Sequence, residues 1–253
     1  MSGAVLSLWQ REIVRFLRDR SRLTGSLLQP VIFWLLFTGA LRSSFKPSGM
    51  DYGQYFFVGT LAMIALFTAI FSTITVIEDR KEGFLQGVLV SPVPRSAIAL
   101  GKILGGATLG MGLAVVFLLL APFAGVSLDI GRVALGLGVL ALLSIAVTGL
   151  GFTFAWLLDS SAGYHGIMMV LFMPMLLLSG AFFPMHDAHW LMSWIRHVNP
   201  MTYGVGALRH ALQGEVDGIP SFPVCLLGTT LFAAAMFALG TFVVSRRRAR
   251  DAV

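Results

Sequence analysis

The chain has 253 residues, of which 57% are hydrophobic and only 12% charged, and its mean hydropathy is +0.84. A soluble domain carries about 25% charged residues, so a water-covered globule is excluded and a membrane protein is implied. The formal charge of +6 flanks apolar stretches instead of forming one patch, which points to anionic lipid and away from nucleic acid.

The first 22 residues read as a helix lying on the membrane. Arg11, Arg15, Arg18 and Arg22 recur along one helical stripe, opposite Leu6, Trp9, Ile13 and Phe16. The pattern predicts arginines among lipid headgroups, with Trp9 at the boundary. Beyond it, six stretches lack Asp, Glu, Lys and Arg: 23–41, 54–77, 103–128, 133–158, 160–185 and 218–245. Each can cross ~30 Å of hydrocarbon, which needs ~20 helical residues. Lipid offers no partner to an unpaired backbone amide, so the fold class is all-α integral membrane with six transmembrane helices. With the N-terminus inside, thirteen of the eighteen Lys and Arg residues lie on the inner side. The positive-inside rule therefore places both termini in the cytoplasm.

After the second stretch comes a dense charged knot, Glu78, Asp79, Arg80, Lys81 and Glu82, ending at Gly83. Phe84, Leu85, Val88 and Leu89 follow at the spacing of a short amphipathic helix, and Pro92 and Pro94 stop it. Residues 78–95 thus read as a charged turn, a short helix and a stiff exit past Arg95, facing the water phase. The third stretch opens with Gly101, Gly105, Gly106 and Gly110, small residues that admit close helix packing, within the subunit or between copies. The fifth is rich in methionine and phenylalanine, and the second in phenylalanine. Phe56, Phe67, Phe71, Met168, Phe172 and Met173 are the candidates for a soft apolar pathway.

The segment 182–217 reads as two short outer helices, re-entrant or amphipathic, broken at Asn199-Pro200. Asn199 is a good N-cap, Pro200 suits the first helical position, and Tyr203 follows on the same helix. Cys225 stands alone, so no disulfide or zinc framework can be built from it, and no signal peptide is expected. His186, Asp187 and His189 lack a fourth ligand, and an interfacial turn is the plainer reading than a metal site. No phosphate-binding loop is present: Gly101-Lys102 is followed by Ile103 where Ser or Thr is required. No acidic residue lies within the six stretches, although an ion-coupled pump usually keeps a buried carboxylate for use. Energy for uphill transport would therefore enter from outside the chain. An intramembrane enzyme using the outer histidines and a passive carrier are the competing readings.

Two sequence runs carry a resemblance to a known family. One is Glu82-Gly83 followed by Leu89-Val90-Ser91-Pro92-Val93, with Arg95 and Gly101-Lys102. The other is His197-Val198-Asn199-Pro200-Met201-Thr202-Tyr203 with Arg209. Together they resemble the type-2 permeases of ATP-binding-cassette exporters, in the branch of drug-resistance and nodulation-factor export, over essentially the whole chain. The resemblance implies a homodimer in the bacterial inner membrane with two copies of a separate ATPase, which holds ATP and Mg. It implies that residues 78–95 and the helix of Arg11, Arg15 and Arg18 receive the ATPase, with Glu78 and Glu82 as salt-bridge partners. Cargo would be hydrophobic or amphipathic, leaving between subunits past the second and fifth spans. Phe84 and Gln86 stand where relatives often have Thr and Glu.

Overall fold

The computed structural model describes residues 2–41, 50–91, 93–126, 129–184, 190–214, 216 and 218–246, except for the side chains of Leu191 and Ser193. Pro92 and the His186, Asp187 and His189 cluster lie outside them. The described residues form helices throughout: α1 (Ser2–Arg18), α2 (Arg20–Leu41), α3 (Tyr52–Thr73), α4 (Thr75–Lys81), α5 (Phe84–Val90) and α6 (Arg95–Leu118). A short 3-10 turn (Ala121–Ala124) leads to α7 (Ile130–Leu157), α8 (Ser161–Leu177), α9 (Trp190–Val198), α10 (Pro200–Gln213) and α11 (Phe222–Arg246).

The column α3–α4 is the axis of the protomer. Its most apolar stretch is 94% buried, whereas those of α2 and α11 are only 17% buried. Helices α2, α6 and α7 pack around it, and α11 lies against α7 and α10. Trp34 of α2 meets Phe57 and Phe117 edge-on, and those two rings stack 4.7 Å apart. Edge-on and offset contacts of this kind suit the ring quadrupole. The glycines of α6 work within the subunit. A Cβ on Gly101 or Gly105 would strike Leu8 or Glu12 of α1, and one on Gly106 would strike Ser72 and Thr148.

Several expectations need correction. Among the described residues five helices are long and apolar enough to cross a membrane, where six spans are expected. The stretch expected as the fifth span forms a helix of 17 residues. Pro174 interrupts its last turn, and Gly180 takes a positive φ of 83° that reverses the chain. The charged knot is not a turn: it is helical through Lys81 and turns only at Glu82-Gly83. The third span begins at Arg95, eight residues before the apolar stretch, and so carries Lys102 inside the helix packing. Finally, α10 does not float at an interface. Met201, Val205, Leu208 and Leu212 are buried, because Gly204 and Gly206 let its backbone close onto Leu143 and Cys225.

Candidate functional site: the braced elbow

The second span bends where its own hydroxyls compete for the backbone. Thr73 Oγ1 donates to the Ala69 carbonyl at 2.6 Å and Thr75 Oγ1 to the Ser72 carbonyl at 2.6 Å, a pattern that bends helices. Beyond the bend, α4 carries the charges. Gly83 ends it at φ 78°, a left-handed conformation that costs other residues roughly 1–2 kcal/mol, and α5 starts at once. Leu85 anchors α5 in the core, leaving Lys81, Glu82, Gln86 and Val90 exposed.

The arginine stripe of α1 does not reach for headgroups. It folds back on the elbow. Arg11 Nη2 donates to Asp79 Oδ1 at 2.7 Å, and Arg15 bonds both Asp79 and Glu78, the latter at 3.0 Å. Arg15 also approaches the exposed Glu82 at 3.5 Å. Arg22, at the start of α2, donates to both oxygens of Glu78 at 2.6 and 2.8 Å. The Arg11 guanidinium lies 3.6 Å over the Phe84 ring, joining α1 to α5. Arg18 alone of the predicted stripe stays exposed.

Beneath these arginines lies a buried ion cluster. Lys102 Nζ donates to Glu12 Oε1 at 2.6 Å and also bonds Asp79, and the Thr75 hydroxyl, whose one proton is shared with the Ser72 carbonyl, lies 2.9 Å from Glu12 Oε2. Glu12, Asp79 and Lys102 are at most 4% exposed. Burial of isolated charges is costly, so each is held by an opposite charge and by further hydrogen bonds. Neither Glu12 nor its pairing with Lys102 was visible in the sequence. The only hint was an acidic residue interrupting a basic amphipathic helix.

The two remaining predicted arginines cap helix ends. Arg80 donates to the carbonyls of Leu158 and Trp156 at 3.0 and 2.7 Å and pairs with Asp159 at 2.5 Å, at the C-terminus of α7. Arg95 donates to the Val244 carbonyl of α11 at 3.1 Å. A cation at a helix C-terminus meets orphan carbonyls and a favourable dipole. The elbow is therefore tied to α1, α2, α6 and α7, and its exit to α11. Among the described residues it shows no arrangement for bond chemistry; what it shows is bracing from several sides.

At the opposite end, Asn199 caps α10 by accepting from the Met201 amide at 3.0 Å and donates to the Met175 carbonyl at 2.7 Å, with Pro200 at the first turn. Tyr203 donates to the His197 carbonyl at 2.8 Å. Arg209, 1% exposed, donates to the carbonyls of Tyr55 and Gly180, both at 2.9 Å, with its guanidinium 3.5 Å over the Tyr55 ring. Of the pathway candidates, Phe56, Phe67, Met168 and Phe172 are buried inside the protomer. Only Phe71 and Met173 are partly exposed.

The chain shares its organisation with known transport proteins. It is 27% identical to ycf38 of Cyanophora paradoxa, named a transport permease, over 94% of this chain and 79% of that one. It is 24% identical to Nodulation protein J of Rhizobium leguminosarum bv. viciae, over 97% and 95%. To the daunorubicin resistance ABC transporter permease protein DrrB1 of Streptomyces coeruleorubidus it is 23% identical, over 85% and 76%. The profile of the ABC-2 type transporter family matches residues 3–213, which include α1, the braced elbow and the Asn199–Arg209 helix. The chain belongs to the ABC-2 type transporter family, a multi-pass membrane permease family.

Proposed function

We propose that this chain is the membrane subunit of an ATP-driven exporter of a hydrophobic or amphipathic compound, drug-like, lipid or glycolipid. Membership of an ABC permease family implies an ABC ATPase partner in general. The reading here adds a homodimer with two copies of that ATPase, which carries ATP and Mg, in a bacterial inner membrane with both chain termini in the cytoplasm. The observation that carries it is the elbow. Lys81, Glu82, Gln86 and Val90, the last 86% exposed, form a ledge whose inner side is braced to four other helices. A surface fixed so firmly from behind suits a partner that pushes on it. Asp79, Arg80 and Arg95 then act as braces, while Glu82 is free enough to meet a basic residue on the ATPase.

The test is co-expression with the ATPase encoded nearest to this chain, followed by purification and ATP-hydrolysis measurement. Glu82→Lys is expected to lower coupled hydrolysis several-fold, and the matching Lys→Glu or Arg→Glu change on the ATPase to restore it. A complex whose hydrolysis ignores every change at Lys81, Glu82 and Gln86 would refute the assignment.

A further inference from the structure

Two separate cavities are lined by neighbouring residues where α8 turns toward α9 and α10. One is a small, partly open cleft of about 30 Å³, mostly apolar in its lining but walled also by Ser179, Arg196, Thr202 and Arg209. The other is an apolar groove of about 530 Å³, also partly open, lined by Pro174, Leu178, Trp194 and Val198. The same two segments wall both. Leu178 and Ile195 line the groove, and the next residues, Ser179 and Arg196, line the cleft.

The cleft is cationic and incompletely satisfied. Arg209 spends its terminal nitrogens on carbonyls, but its Nε has no partner; neither has Thr202 Oγ1, and both side chains are at least nine-tenths buried. No carboxylate among the described residues pairs with Arg209 or Arg196. A buried guanidinium without an opposite charge, beside a hydroxyl without a bond, is an unfilled anion site. The adjoining groove is apolar and presents Trp194, 68% exposed.

We propose that the pair of cavities binds one acidic membrane amphiphile. Its phosphate or carboxylate head sits at Arg196, Thr202 and Arg209, and an acyl chain lies along Pro174, Leu178 and Trp194. The head supplies the missing counter-charge, and the chain covers the groove. This site does not depend on the elbow or on an ATPase.

The full chain, without any partner, is placed in phosphatidylcholine nanodiscs and titrated with phosphatidylglycerol bearing brominated acyl chains. Quenching by bromine is read at Trp194, with Trp194→Phe giving the background of the other tryptophans. Saturable quenching is expected, while brominated phosphatidylcholine should quench without saturation. Arg196→Gln should weaken the apparent affinity about tenfold and Thr202→Val about threefold, the usual worth of a charged and a neutral hydrogen bond. Neither side chain holds a bond in the described structure, so neither change should unfold the protein. Equal quenching by both lipids, or saturation untouched by Arg196→Gln, overturns the proposal. Protection of the cleft by inorganic phosphate with no preference for the acidic lipid overturns it too, because the occupant would then be a free ion.

Discussion

The two ends of the α3–α4 column solve the same problem differently. At the elbow, Asp79 is buried beneath Arg11, Arg15 and Lys102, and the pairing is charge against charge. At the other end, Arg209 is buried as deeply but held by the carbonyls of Tyr55, Gly180 and Ala181 and the Gln213 side chain. In a buried ion-pair network, displacing one member leaves buried charge unpaired, which is costly. A guanidinium seated on carbonyls is a tie that tolerates small shifts, because several acceptors share one cation. The elbow is thus the end held stiffly by paired charges, and the Arg209 end the one anchored with some give.

This contrast can be broken most severely at Lys102. Replacing it by Met leaves Glu12 and Asp79 buried beside one another with fewer cations. The expected loss is about 3–5 kcal/mol, read as a large drop in the thermal midpoint of the detergent-solubilised protein. Adding Glu12→Gln should recover part of that loss. A Lys102→Met protein that melts normally would remove the electrostatic account of the elbow.

A smaller effect is expected from Gly83→Ala. A Cβ there meets nothing within 4 Å, so the cost is backbone strain alone, roughly 1–2 kcal/mol. Because the strain is local, coupled ATP hydrolysis should fall more than stability does; equal stability losses for Gly83→Ala and Gly87→Ala would contradict this. At the anchored end, Tyr55→Phe removes only the 2.8 Å bond to the Gly180 carbonyl, which Arg209 also serves. A loss of about 1 kcal/mol or less follows, and a loss as large as that of Lys102→Met would erase the distinction between the ends.

The smallest effect concerns pH. Asp19, at the α1–α2 junction, is held below its ordinary value first by the Ser21 hydroxyl and then by the Arg22 amide and guanidinium, against partial burial. A depressed carboxylate contributes stability above its unfolded value of 3.8 and loses it as pH falls below that value. Asp19→Asn should therefore flatten a slight acid-side decline in melting temperature and leave behaviour near neutrality unchanged.

Much of this was legible in the residues. The amphipathic period of α1, the short α5 and the Asn199-Pro200 break are local signals, although α1 stops at Arg18 and leaves Arg22 on α2. What faces each helix was not legible. The stripe Arg11–Arg15–Arg22 looks alike whether it meets lipid phosphate or the carboxylates of residues 78 and 79, which lie more than fifty positions away. Lys102 looked like a loop residue because the apolar stretch begins after it, and nothing in the spacing put Arg209 in the core. In both cases a distant partner made burial affordable, and periodicity carries no information about distant partners. The shortened α8 was hidden for a related reason: its apolar run continues past the point where Gly180 and its carbonyl ties turn the chain.

The column running from Tyr52 to Lys81 spans 30 residues and, at 1.5 Å per residue, is about 45 Å long. Arginine–carboxylate clasps grip one tip, and Tyr52 and Tyr55 grip the loop carbonyls of Phe182 and Gly180 at the other. Under the proposed ATP-driven export, and despite its bend at Thr73–Thr75, such a column would act as a rocker arm. A tilt of about 5° at the clasped tip would swing the far tip by about 4 Å over that length, dragging the loop that closes α8. A stroke delivered on one side of the bilayer would thereby be felt on the other without any helix having to unwind.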